Sequence, residues 1–160
     1  MRGRKHGWHF LAAILLIEGV GAGIGIVTAG QISGWYETLT EPPGTPPNWV
    51  FGPVWTVLYA MIAISGVMFW IRSAGEPVRK TGTWWFFVQL LLNFAWTPAF
   101  FGAQQLGVAL AIILALNVTI WLTIRAFSQV SRVAAWLLVP YAIWVGYATY
   151  LNTGFFWLTR

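Results

Sequence analysis

Five apolar stretches, each about as long as a lipid bilayer is thick, leave this chain few ways to fold. They cover Trp8–Ala29, Trp49–Ile71, Gly82–Phe101, Leu106–Phe127 and Val133–Leu158. Each reaches or exceeds the roughly 20 residues a helix needs to cross about 30 Å of hydrocarbon. With no water to satisfy its amides, a spanning segment is either a helix or part of a closed barrel. The runs are rich in Leu, Ile and Ala and lack the period-two alternation of barrel strands. Only 8% of the residues are charged and 58% are hydrophobic, whereas a soluble domain carries about 25% charged residues. The expected fold is therefore all-α: a polytopic membrane protein, a bundle of five transmembrane helices, with residues 1–160 forming one membrane domain.

The few charges set the orientation. Arg2, Arg4 and Lys5 precede the first run, Arg72, Arg79 and Lys80 lie in the second connection, and Arg125 and Arg132 in the fourth. Residues 31–48 and 102–105 contain no Lys or Arg. The positive-inside rule then places the N-terminus in the cytoplasm, with the helix 1–2 loop and the C-terminus outside. The basic residues ahead of the first run are reminiscent of a secretory signal, but the run exceeds the roughly 7–15 residues of a signal core, so a retained helix is expected. The net charge of +5 follows from this asymmetry and gives no reason to expect nucleic acid as a partner. The absence of cysteine excludes disulfides and a thiol nucleophile.

One connection is long. Residues 30–48 include most of "EPPGTPPNWVFGPVW" (41–55), which holds five of the eight prolines. Proline removes a backbone donor and clashes with the preceding turn, so this segment is expected to be an ordered, stiff lid rather than helix. The run "EGVGAGIG" (18–25) fails the dinucleotide frame but contains two G-x-x-x-G frames, Gly19/Gly23 and Gly21/Gly25, suited to close helix packing within the bundle or at a homodimer seam. Glu18 lies mid-span, where a carboxylate is costly; it is expected to be protonated or to face a cavity. Of twelve tryptophans, most sit at span ends as an interfacial belt, while Trp55, Trp96, Trp121 and Trp144 lie deeper. Deep rings facing inward make a flat-walled cavity suited to a planar ligand. Gln89, Asn93 and Trp96 share one helical face, and their polar groups need partners on other helices or on a ligand. Pro98 is expected to kink the end of the third helix. His6 and His9 lack further ligands for a metal site. No acid–base or nucleophile constellation appears, so neither a cofactor nor a metal is expected, and an enzyme is the less favoured reading.

Three segments, "WYETLTEPPGTPPNWVFGPVWTVLY" (35–59), "QLLLNFAWTPAFFGAQQLGVAL" (89–110) and "WLLVPYAIWVGYATYLN" (136–152), resemble the translocator protein family, also called the tryptophan-rich sensory protein or TspO/MBR family. The resemblance extends over essentially the whole chain. It implies a five-helix bundle, usually a homodimer, in a bacterial cell membrane, with the helix 1–2 loop folded over a pocket. It also implies binding of porphyrins or related tetrapyrroles, with sterols or benzodiazepine-site compounds as ligands of some members, in a regulatory or carrier role. The alternatives are light-dependent porphyrin degradation, for which Trp55 and Trp144 would be the catalytic residues, or small-molecule transport. Carried over residue by residue, the ligand-binding positions are Tyr36, Trp49, Trp55, Tyr59, Asn93, Trp96, Trp144, Ala148 and Leu151. The family loop reads W-Y-x-x-L-x-K-P-x-W-x-P-P; here Glu41 stands in place of the Lys and Gly44 in place of the second Trp. A loop cation is thereby replaced by an anion. Thr153 after Leu151–Asn152 leaves the sterol motif of animal members unmet.

Overall fold

The computed structural model describes residues 7–32 and 34–159. Arg2, Arg4, Lys5 and His6 lie outside the described residues, as does Arg160. The chain forms α1 (Gly7–Ile32), a single 3-10 turn (Tyr36–Thr38), α2 (Asn48–Arg72), α3 (Val78–Thr97), α4 (Leu106–Ser128), α5 (Arg132–Leu137) and α6 (Val139–Leu158). No strand occurs among the described residues. Five helical segments are long and apolar enough to cross a membrane, the fifth comprising α5 and α6 together. The protein is an all-α, integral membrane protein.

Most boundaries fall within a few residues of expectation, and each departure has a local cause. The third helix begins at Val78, not Gly82, because Pro77 sits before it with φ −58°, already the value a helix needs. Pro98 ends its regular part, and Pro98–Gly102 continues as a wider π turn closed by the Ala103 amide donating to the Pro98 carbonyl at 2.8 Å. The fifth span is not one helix. It is interrupted at Leu138, two residues before Pro140, which has no N–H to offer the carbonyl one turn back. In contrast α2 carries Pro53 within its second turn without breaking.

The bundle packs α3 against α4, α4 against α6 and α1 against α2. Close approach is achieved by small residues facing rings: a methyl on Gly82 would lie 2.3 Å from Phe69. The Phe69 ring stacks on Phe127 at 4.0 Å and 4°. The five described basic residues lie at the end of the bundle opposite the proline loop: Arg72 and Arg125 close α2 and α4, while Arg79, Lys80 and Arg132 open α3 and α5. There Arg72 donates from Nη1 to Ser131 Oγ at 2.8 Å. The same Ser131 oxygen caps α5 by accepting from the Ala134 amide at 3.2 Å. Outward-facing Leu, Ile, Val and Trp side chains cover the exterior, including Leu16, Val27, Leu91 and Ile143, as a lipid-facing surface requires.

Candidate functional site

At the loop end of the bundle, α1, α2, α3, the π turn and α6 enclose a cavity of about 440 Å³. Its roof is the proline loop, and the roof is docked rather than loose. Tyr36 is only 4% exposed, its ring lying 5.1 Å from Phe155 and 5.4 Å from Phe101. Leu39 is buried in the same cluster. Pro42 presses on α6 so closely that a methyl on Gly154 would lie 2.5 Å from its Cβ. Tyr150 Oη donates to the Pro43 carbonyl at 2.9 Å, and Tyr147 Oη donates to the Gly44 carbonyl. Gly44 has φ +85°, a left-handed conformation that a side-chain-bearing residue reaches only with strain. A glycine at this loop position is therefore what lets the chain turn back toward Tyr147.

Electrostatics keep the Tyr36 hydroxyl protonated. Burial, then the Glu41 carboxylate and Tyr147, push its pKa up to about 12, above the usual value near 10 for tyrosine. It remains a neutral hydrogen-bond donor through the physiological range.

The two tryptophans singled out by resemblance stand in the wall. Trp55 from α2 and Trp144 from α6 both line the cavity. The Trp55 ring lies 5.2 Å from Tyr59, and Trp144 meets Phe51 edge-on at 5.9 Å. Trp144 Nε1 is buried without a hydrogen-bond partner. Tyr36, Tyr59, Trp96, Ala148 and Leu151 also line the space. Two of the inherited positions do not. Trp49 is 74% exposed and outside the lining, which takes Asn48 and Phe51 from the same turn instead; rotation around the helix separates immediate neighbours. Asn93 stands behind the wall, 3% exposed. Its Oδ1 accepts from Tyr59 Oη at 2.9 Å and its Nδ2 donates to Tyr141 Oη at 3.1 Å. Tyr141 Oη in turn donates to Gln89 Oε1 at 2.8 Å. This chain joins α2, α3 and α6, so Asn93 acts on the cavity by holding Tyr59.

Trp96 is likewise half committed. Its Nε1 donates to Asn152 Oδ1 at 3.0 Å, and Asn152 Nδ2 donates to the Leu106 carbonyl at 3.0 Å. Trp121, the fourth deep tryptophan, is 62% exposed and faces outward. Of the small residues in α1, Gly21 has a clear task. A methyl there would lie 2.4 Å from the Tyr59 ring, whereas Gly19 and Gly23 have open space. Glu18, one turn before Gly21, faces the cavity.

Phe51, Phe100, Phe101, Asn152 and Phe155 also line the cavity and were not singled out from the sequence. For Phe155 a signal was present, since Ala148, Leu151 and Phe155 recur at helical spacing. A second hollow of about 460 Å³ lies near the basic end, between α1, α2 and α3, walled by Ala63, Phe69 and Phe86. There Arg79 stacks over Trp70 at 4.0 Å. It contains neither Trp55 nor Trp144. Among the described residues no three His, Cys, Asp or Glu side chains come together as metal ligands would.

Comparison with known proteins agrees with this architecture. The sequence profile of the TspO/MBR family matches residues 13–158. The tryptophan-rich protein TspO of Archaeoglobus fulgidus is 39% identical over 142 residues, 89% of this chain and 91% of that one. The translocator protein of Bos taurus is 36% identical over 149 residues, covering 91% and 87% of the two chains. The tryptophan-rich sensory protein of Cereibacter sphaeroides is 34% identical over 119 residues, 74% and 72%. The chain thus belongs to the TspO/MBR family, as an integral membrane protein whose membership supports a sensory or ligand-binding role.

Proposed function

We propose that this protein binds a planar polycyclic ligand, of the porphyrin or related tetrapyrrole class, in the cavity beneath the proline loop, and that occupancy serves a sensory, regulatory or carrier role. The single observation carrying the reading is the cavity itself. About 440 Å³ of space is walled by Trp55, Tyr59, Trp96 and Trp144 under a loop pinned to α6. Flat rings stacked on flat walls gain apolar burial and offset-stacking energy together. The docked roof reduces the ordering cost of closing over a ligand. The tryptophan-rich and sensory names of the relatives support the same reading. The basic end faces the cytoplasm and the loop faces outward, on the positive-inside argument. Two copies associate as a dimer and residues 1–160 act as one membrane domain.

The test is a titration of protoporphyrin IX, and separately of its dimethyl ester, into the purified protein in detergent, followed by quenching of tryptophan fluorescence. Saturable quenching is expected, with weaker binding in a double Trp55→Phe, Trp144→Phe variant. No saturable quenching by either compound, or unchanged affinity in that variant, overturns the assignment. Cross-linking in native membranes, with and without ligand, tests the dimer.

A further inference from the structure

The cavity's rings say that a ligand is flat; its polar groups say what charge that ligand carries. Among the described residues lining the cavity, Glu18 is the only charged one, and no Lys, Arg or His faces the space. All the described basic residues lie at the opposite end of the bundle.

Most of the remaining polar groups are already engaged within the protein. Tyr59 Oη is given to Asn93, Trp96 Nε1 to Asn152, and Asn152 Nδ2 to the Leu106 carbonyl. The Glu18 carboxyl on α1 is the acid among the lining residues. A ligand carboxylate placed here would meet Glu18 with no cation to offset it, and charge–charge repulsion is large where water is scarce. A ligand cation would meet the carboxyl group and, around it, the faces of Trp55, Tyr59, Trp96 and Trp144, the combination that recognises organic cations.

We propose that the cavity selects planar aromatic cations over ring carboxylates, with Glu18 as the charge-selecting residue. This rests on the reading that the cavity is the ligand site. Within the tetrapyrroles it favours rings with basic or esterified substituents over those bearing free propionates.

A set of three-ring probes of matched shape separates the two ideas: the aminoacridinium cation, neutral acridine, and anthracene carboxylate, each titrated near neutral pH against the full chain in detergent, with tryptophan quenching as readout. The cation is expected to bind at least about tenfold more tightly than the carboxylate, a difference of about 1.4 kcal/mol, with acridine between them. Glu18→Gln is expected to remove the cation's advantage while acridine affinity stays constant, which also verifies that the variant is folded. Glu18→Asp, which keeps the charge, retains the order. Equal affinity of all three probes, or a cation preference that survives Glu18→Gln, overturns the charge selection and leaves the ligand-site reading standing. Should Glu18→Gln fail to fold, the order of the three probes on the unaltered chain decides. If none of the probes, protoporphyrin or its dimethyl ester quenches saturably, the ligand-site reading and the charge selection both fall.

Discussion

Two sets of polar side chains lie inside the same bundle, and they are used in opposite ways. Gln89, Asn93, Tyr141 and Tyr59 bond to one another across three helices. Glu18 and the Trp144 ring line the cavity and take no part in that network. Buried polar groups in lipid need partners. The first set finds them in neighbouring helices, except for Gln89 Nε2, and so fixes the geometry of the wall. The second set waits on the cavity side of that wall, where a ligand can supply the partner. The difference teaches that intramembrane polarity alone does not mark a binding residue; what matters is whether the partner belongs to the protein.

Breaking the first set has the largest expected effect. Asn93→Leu strands the hydroxyl of Tyr59 and removes the donor to Tyr141 Oη, which keeps its bond to Gln89, and is expected to lower stability by about 2 kcal/mol, an unpaired buried group costing roughly 1–3 kcal/mol. Thermal unfolding in detergent reads this, and a loss below about 1 kcal/mol would erase the distinction between the two sets. Next comes Gly21→Ala. Its methyl would meet the Tyr59 ring at 2.4 Å, and overpacking of this kind costs about 1–3 kcal/mol. Stability and ligand affinity should fall together, because Tyr59 belongs both to the network and to the wall.

On the other side of the comparison, Trp144→Phe should weaken ligand binding about five- to tenfold, an aromatic contact being worth about 0.5–1.5 kcal/mol. Its unfolding midpoint should move little. A large stability loss with unchanged affinity would place Trp144 in the structural set instead. Removing the roof's anchors with Tyr147→Phe and Tyr150→Phe should cost about 0.5–1.5 kcal/mol per hydrogen bond. The change should appear as faster ligand release and easier proteolysis of the loop, with the helices unaffected.

The smallest effect concerns Tyr36 and is a matter of pH. Its pKa is raised to about 12 when the loop is docked and returns to about 10 when the ring is free in water. The docked loop is therefore fully favoured below pH about 10, and that preference is lost as pH rises toward about 12. Tyrosinate absorbance should show a hydroxyl titrating near pH 12, and Tyr36→Phe should remove that step.

Much of the fold was legible from the sequence. Length and hydropathy mark the five spans because lipid leaves a backbone no choice but the helix. Prolines mark the break before α2 and the end of α3, whereas the interruption at Leu138 falls inside what reads as one span. The site was legible only in part. Trp55 and Trp144 line the cavity, but nothing in the residue types separates them from Trp49 and Trp121, which face outward. Asn93 and Glu18 are both polar residues within apolar helices, yet one stands behind the wall and the other on it.

The sequence by itself determined what is set by composition along one segment: that the chain spans a membrane five times, that its described basic residues gather at one end, and that a stiff loop joins the first two helices. Only the tertiary structure decided which side of each helix meets the cavity, that Tyr147 and Tyr150 pin the roof across more than a hundred residues of chain, and that the single charge in the cavity wall is an acid. Hydropathy is a property of each residue and survives as a sum along the chain, whereas facing and partnership depend on how helices rotate and pack against one another. The same carboxyl group at Glu18 is an expense in lipid or a recognition element in a cavity, and packing alone decides between them.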